Sequence, residues 1–241
     1  PEGFTAHEIA KLMASERLVD SDRFGALVRD PAFAARVGVE AGGLEGYLFP
    51  DTYRLTRGMG EEEILRIMAG RFQQAIPRDF QQEAARRGMS PHAVVTLASL
   101  IEKEARLDSE RALVSAVFHN RLRRGMPLQS DPTAVYMVPR KQRRITAADL
   151  QRKTPYNTYL VPGLPPGPIA NPGLASLEAA LHPAPVNFLY FVAKNDGSHF
   201  FSRTLEQHQR AVRLYQGGDR GRESGRVNLT VRGLLANRRN R

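Results

Sequence analysis

The stretch "TLASLIEKEA" (residues 96–105) places two glutamates at the end of an apolar run. A Ser-Pro pair stands shortly before it, which is a typical helix start, so the run predicts a helix over residues 91–106. Successive helical residues are rotated by about 100°. On that wheel Glu102 falls inside the apolar arc, whereas Glu104 falls away from its centre. The stretch therefore predicts a helix with an apolar face and with Glu102 facing inward.

An inward-facing glutamate has two explanations. A carboxyl group among aliphatic side chains has a raised pKa, because burial disfavours its charged form, and a raised pKa suits a general acid near neutral pH. The structural alternative is that Glu102 reaches an arginine such as Arg106, or a backbone N–H, across a helix interface. The helix alone leaves both explanations open.

The segments around this helix predict an α+β fold that is mainly helical, with a small antiparallel sheet. In "FLYFVAKNDGSHFFS" (residues 188–202) two aromatic and β-branched runs flank an Asp-Gly pair, which is a strong hairpin signal. A further short strand is predicted in "GYLFPDTYRL" (residues 46–55). Helices are predicted at about 5–15, 20–29, 61–75, 79–88, 91–106, 109–124, 173–181 and 204–216.

Residues 127–172 show little periodicity and are rich in proline and glycine. A connection of this length inside a compact domain is usually functional or disordered. Its tyrosine and aliphatic residues are not those of a solvated linker, and closely spaced prolines stiffen the chain. We therefore expect an ordered loop that lines a groove.

The formal net charge is +10, and half of it lies in residues 217–241, where seven arginines accompany two acidic residues. This segment predicts a basic, flexible C-terminal tail after a folded region at 1–216. Attraction to anionic envelope polymers or lipid headgroups explains the charge as well as nucleic acid does, and no nucleic-acid partner is predicted. The chain has no cysteine, which excludes disulfides, thiolate zinc sites and cysteine nucleophiles. No run of about 18 apolar residues is present, as a membrane span would need.

No sequence motif points to a metal or an organic cofactor. The six histidines form no HExxH motif or close i, i+4 pair, and the chain contains no GxSxG, GxxxxGK[ST] or GxGxxG. We therefore predict a site without metal or cofactor.

Six segments, in order from Pro1 to about Gln216, give the chain a resemblance to the YceG-like family of endolytic murein transglycosylases. The matching segments are "PEGFTAHEIAKLM", "LEGYLFPDTYRL", "LASLIEKEA", "VFHNRLRRGMPLQSDPTAVY", "YNTYLVPGLPPGPIANPGLASLEAALHP" and "LYFVAKNDGSHFFSRTLEQH".

The resemblance implies a lyase that cleaves the β-1,4 bond between N-acetylmuramic acid and N-acetylglucosamine in nascent peptidoglycan strands. The product carries a 1,6-anhydro end, and cleavage terminates strand elongation. The family's catalytic glutamate maps onto the first Glu of the EKE segment, Glu102. Residues 1–216 would be the catalytic region, with the loop 127–172 lining a glycan groove. The side chains expected to hold or flank the strand are Gln129, Ser130, Asp131, Tyr136, Tyr156, Asn157, Tyr159 and Asn171.

Family members also carry an N-terminal membrane helix and usually a LysM-like subdomain, and both are expected to lie outside this sequence. The resemblance thus implies a protein of the bacterial cell envelope, anchored in the inner membrane with its catalytic part facing the periplasm or the outside. Peptidoglycan synthases are expected partners.

Two alternatives belong to other classes. A hydrolytic, muramidase-like glycosidase would use Asp131 or Glu45 to activate water and would leave reducing ends. A non-catalytic module would only bind glycan or nucleic acid, and its binding would weaken steeply with salt if it were purely electrostatic.

Overall fold

The computed structural model describes residues 1–138 and 145–217, and the chain divides into two compact units. Unit 1 consists of Pro1–Lys103 and Pro166–His182, and unit 2 of Glu104–Pro165 and the chain from Pro183 onward. The helices are α1 (Ala6–Ser15), α2 (Ser21–Val28), α3 (Pro31–Arg36), α4 (Glu61–Ala75), α5 (Phe80–Arg86), α6 (Pro91–Glu104), α7 (Asp108–Arg123), α8 (Asp131–Val135), α9 (Ala147–Leu150), α10 (Leu174–Leu181) and α11 (Leu205–Gln216), and the strands are β1 (Tyr190–Ala193) and β2 (His199–Ser202).

Unit 1 is helical, and its helices begin where the sequence supplies caps. Thr5 forms a capping box with Glu8 at α1, and the Asp20 side chain accepts two backbone N–H groups at α2. Helix α2 packs against α1, α3 and α4. Every residue from 94 to 101 of helix α6 is buried. Over these residues α6 therefore has no solvent-exposed face.

Unit 2 is built around the hairpin of β1 and β2. The strands pair antiparallel, with Tyr190 opposite Ser202 and Ala193 opposite His199. Helix α11 packs on both strands, and it begins with a capping box between Thr204 and Gln207. Helix α7 lies against β1, so these elements form a second small core.

The predicted fold class is confirmed: the chain is mainly helical with a two-stranded antiparallel sheet. All eight predicted helices and the hairpin are present, and Ser90 caps α6 by accepting the N–H of Ala93 at 3.1 Å. The strand predicted at 46–55 is wrong, since these residues form turns, bends and irregular chain. Gly46, at the start of this segment, has φ 88°, a backbone conformation that a β-strand does not have. The next residue, Tyr47, packs on Phe72 of α4.

The loop 127–172 contains α8 and α9, which the sequence did not predict. Apart from residues 139–144, it lies within the described residues. The tail predicted from 217 has only Gly217, the C-cap of α11, in the described part; the rest falls outside it. Among the described residues, no helix has the length and apolar character that crossing a membrane requires.

Candidate active site

The two glutamates of α6 lie in different surroundings, and Glu104 belongs to unit 2. Its Oε1 accepts a hydrogen bond from the Ser130 hydroxyl at 2.6 Å. Burial, and next the charge of Asp131, raise the pKa of Glu104 to about 7, against the opposing effects of Ser130 and Arg121. Near neutral pH, a carboxyl group with this pKa is protonated in a large share of the molecules. A general acid needs this protonated state.

The residues that meet Glu104 are held by the start of α8. Gln129 has φ 52°, a left-handed conformation that is rare for a residue other than glycine. Its N–H donates to the Thr158 carbonyl at 3.1 Å, and the N–H of Ser130 donates to Thr158 Oγ1 at 3.0 Å. Thr158 Oγ1 also lies 2.8 Å from Thr133 Oγ1. These buried contacts fix the turn that points Ser130 at Glu104.

Asp131 and Tyr159 form a pair beside this turn. The Tyr159 hydroxyl donates to Asp131 Oδ1. Burial raises the pKa of Asp131, while the bond from Tyr159 opposes that rise. Burial also raises the pKa of Tyr159, helped by the charge of Asp131, so the phenol stays protonated and keeps donating.

Arg121 supplies a buried positive charge in unit 2, with 5% of the residue exposed. Its guanidinium donates to the carbonyls of Leu189 at 2.7 Å and Leu128 at 2.9 Å, and it lies 5.1 Å from the Tyr190 ring centroid. It also donates to Gln129 Oε1 at 3.3 Å. Arg121 thus holds the loop before α8 and places a cation whose field reaches Glu104.

Glu102 lies in unit 1, at the N-terminus of α10. Its Oε2 accepts the N–H of Gly173 at 3.1 Å and the hydroxyl of Ser176 at 2.8 Å. Gly173 is the N-cap residue of α10 and has no side chain to cap the helix itself. A carboxylate in this position satisfies an otherwise unpaired helix N–H and stabilises the helix dipole. The predicted general-acid role of Glu102 stays a prediction, and a capping role also explains the residue.

The structure brings Ser130, Asp131 and Tyr159 together around Glu104, as described above, and gives the other predicted site residues separate contacts. Asn157 is fully buried and donates to the carbonyls of Leu150 and Arg152 at 3.0 and 2.8 Å. The rings of Tyr136 and Tyr156 pack with centroids 4.7 Å apart. Contacts of these residues with a glycan stay predictions.

Asn171 and Glu45 belong to unit 1, where both serve the backbone. Asn171 Oδ1 accepts the N–H groups of Gly46 and Leu48, each at 2.9 Å. Its Nδ2 donates to the Phe4 carbonyl at 2.9 Å and to Glu45 Oε1 at 3.0 Å. Both side chains are therefore used to fold unit 1, and the alternative in which Glu45 activates water gains no support.

Arg121, Thr133 and Thr158 are site residues that sequence reasoning missed. Each looks like an ordinary polar residue in the chain, and only the folded loop shows that all three are buried. No group of three or more potential metal ligands occurs within residues 1–138 and 145–217.

Comparison with known proteins finds similarity over most of the chain. The model of the YceG-like family matches residues 1–214. An endolytic murein transglycosylase from Bacillus subtilis is 42% identical over 173 residues, which cover 71% of this chain and 48% of that protein. One of the same name from Streptococcus pneumoniae is 29% identical, with 88% of this chain and 43% of that protein covered.

A solved structure has the same fold. It is the crystal structure of a putative yceG-like protein from Listeria monocytogenes, with a TM-score of 0.79 and 36% sequence identity. The match covers 88% of this chain and 74% of that chain. The chain spans about half the length of the curated relatives that it matches.

Proposed function

Because the chain belongs to the YceG-like family, we propose that it is a lytic transglycosylase that cleaves peptidoglycan strands endolytically. The names of its relatives support this activity. The product that we propose is a 1,6-anhydro-muramyl end, formed when the bond to N-acetylglucosamine breaks. Attachment to the inner membrane and action beside a peptidoglycan synthase are further parts of the proposal, and both rest on the family resemblance.

The observation that carries the proposed mechanism is the half-buried carboxyl of Glu104, which contacts Ser130 and has a pKa raised to about 7. A lytic transglycosylase needs one acid, whereas a glycosidase that activates water usually needs two carboxyl groups in separate roles. We therefore place the general acid at Glu104 and assign Glu102 to capping α10. This assignment departs from the one that the family resemblance implies for the EKE segment.

In the proposed reaction, Glu104 first gives its proton to the glycosidic oxygen as the bond to the muramyl C1 breaks. The carboxylate then removes the proton of the muramyl C6 hydroxyl, and that oxygen bonds to C1. Glu104 ends protonated, so the cycle balances without water. The buried Ser130 hydroxyl can donate to the carboxylate or accept from the acid, and so it serves both states.

Matched glutamine variants of the two glutamates test this assignment. Glu104→Gln keeps the side-chain volume but removes the proton, so cleavage of purified glycan strands should fall by about 10²–10⁴-fold. Glu102→Gln should keep cleavage within a few fold and lower the free energy of unfolding by about 1 kcal/mol, because the cap loses its charge. Mass spectrometry of the products measures cleavage, and thermal unfolding measures stability.

The opposite result, an inactive Glu102→Gln and an active Glu104→Gln, would return the acid to Glu102. Reducing ends instead of anhydro ends from the unmodified chain would support the hydrolytic alternative. No cleavage by the unmodified chain, with glycan binding that persists at high salt, would support a non-catalytic glycan-binding module.

A further inference from the structure

The site contains two carboxyl groups, although the proposed reaction uses only one. Glu104 and Asp131 are both desolvated, and the charge of Asp131 contributes to the raised pKa of Glu104. Two neighbouring carboxyl groups in a poorly solvated site titrate as a pair, so the first proton that they share must lie on one or the other. Which group holds it decides whether the site contains a usable acid.

The contacts of the two groups differ in what they favour. Asp131 accepts from Tyr159, and a phenol is a stronger hydrogen-bond donor than an aliphatic hydroxyl. Glu104 meets the Ser130 hydroxyl, which accepts as readily as it donates. The contact at Asp131 therefore favours a carboxylate. At Glu104 the Ser130 contact also suits a protonated acid, while the backbone N–H of Asp131 favours the carboxylate.

The remaining charged and titratable groups of the site come from two elements. Arg121 of α7 attracts the Glu104 carboxylate, and Tyr190 of β1 lies under its guanidinium. The guanidinium is anchored to backbone carbonyls of the loop and of Leu189. Arg121 thus favours a negative charge on Glu104, whereas the hydrogen bond from Tyr159 favours the charge on Asp131.

We propose that Asp131 and Tyr159 are positioning residues that keep the shared proton on Glu104. The proposal rests on the assignment of Glu104 as the acid. With Asp131 ionised and bonded to Tyr159, the proton lies on Glu104 before cleavage. After Glu104 has given the proton away, two carboxylates face each other, and their repulsion makes Glu104 a stronger base towards the C6 hydroxyl. One fixed charge thereby assists both proton transfers.

The test is the pH profile of kcat/KM on purified glycan strands for the unmodified chain, Asp131→Asn and Tyr159→Phe. Asp131→Asn removes the repelling charge, so the basic limb should move to lower pH by about one unit, with about a tenfold loss above neutrality. Tyr159→Phe leaves the charge but lets the proton move to Asp131. Its maximum rate should fall several fold, and its basic limb should not move to lower pH.

A loss of structure alone would not give these two different responses. Asp196→Asn, in the exposed hairpin turn, is the matched control and should keep the profile of the unmodified chain. Carbon-13 NMR of the carboxyl groups in the unmodified chain supplies a readout that needs no variant of Asp131. The Glu104 signal, identified by its loss in Glu104→Gln, should titrate near neutrality.

The outcomes separate this inference from the proposed function. If Glu104→Gln is inactive while Asp131→Asn keeps the basic limb of the unmodified chain, the positioning role is wrong and the acid assignment stands. A Glu104 signal that titrates with the solvent-exposed glutamates would also overturn the positioning role. If Glu104→Gln cleaves normally, both fail together.

Discussion

Among single residues, Asn171 makes the strongest prediction about stability. Its side chain has two acceptor sites and two donors, and all four are used in contacts between 2.9 and 3.0 Å. Replacement by aspartate keeps the shape but removes the side-chain donor to the Phe4 carbonyl, which keeps only the backbone N–H of residue 171, and sets a carboxylate against Glu45. We expect Asn171→Asp to lower the free energy of unfolding by about 3 kcal/mol.

Urea denaturation measures this loss, and Asn195→Asp is the matched control. Asn195 lies exposed in the hairpin turn and donates to the Tyr215 carbonyl at 2.8 Å. The same change there should cost no more than about 1 kcal/mol. Equal losses in the two variants would contradict the structural role of Asn171, and a raised KM without a loss of stability would restore its predicted contact with the glycan.

The wheel of α6 shows what sequence reasoning can and cannot find at this scale. It measures where a residue lies relative to the apolar arc of its own helix, and on that basis it selected Glu102. The surroundings of Glu104 come from Arg121, Ser130 and Asp131, which are 17 to 27 positions away in the printed sequence. Only the folded loop brings them to the carboxyl, so its raised pKa could not be predicted from the helix.

At the scale of elements, the start of α11 depends on the capping box of Thr204 and Gln207. The Thr204 hydroxyl accepts the N–H of Gln207 at 3.2 Å. Thr204→Ala should lower the free energy of unfolding by about 1 kcal/mol and speed amide exchange in the first turn of α11. Thr204→Ser keeps the oxygen and should change both quantities little. Equal exchange in the two variants would show that the cap contributes nothing.

The elements that sequence reasoning found are the long ones with clear periodicity and end signals. Those it missed have six residues or fewer: α3, α8 and α9. Two of them did carry local signals, because Asp30 caps α3 and Thr146 forms a capping box with Asp149 at α9. Such short segments bury too few residues to show a period, so packing in the folded chain decides whether they form.

At the scale of the whole molecule, His208 and Glu104 make stability depend on pH in opposite directions. His208 is 1% exposed, and within the described part of the chain neither ring nitrogen has a hydrogen-bond partner. Burial, and then the charge of Arg121, lower the pKa of His208 to about 4. Below about pH 6.5 the unfolded chain therefore binds a proton that the folded chain refuses, and stability falls as the pH falls towards 4.

Glu104 has the opposite effect, because its pKa is raised to about 7 from 4.5. Between these values the folded chain keeps a proton that the unfolded chain has lost. Glu104 therefore adds to the free energy of unfolding at acid pH, and this contribution is lost as the pH rises through 7. The two contributions partly cancel between about pH 4.5 and 6.5.

Replacing His208 separates them. His208→Leu removes a buried base without a partner, so at pH 5 it should stabilise the chain by about 2 kcal/mol more than it does at pH 8. Urea denaturation at the two pH values measures the difference. Glu104→Gln should show the reverse trend: it should raise the free energy of unfolding more at pH 8 than at pH 5. If the effect of His208→Leu were the same at both values, His208 would not be a neutral buried group.

The family and the fold class were predictable from the sequence, because long ordered segments and repeated end signals determine both. The match to residues 1–214 and the 0.79 TM-score bear out that reading. The division into two units was not predicted, since it depends on which distant segments pack together. Residues 166–182 belong to unit 1, and the amino-acid composition does not indicate this.

The pair of Glu104 and Asp131 constrains how the sequence can drift. A buried acid beside a second carboxyl lowers stability, and replacing either group by a neutral amide relieves the repulsion. Mutation therefore favours loss of the pair, and selection for the proposed cleavage would oppose that loss. A duplicated copy freed from that selection would lose one of the two acids early, while α6 and the hairpin persisted. Retention of both acids would then distinguish working enzymes from inactive descendants of the same fold.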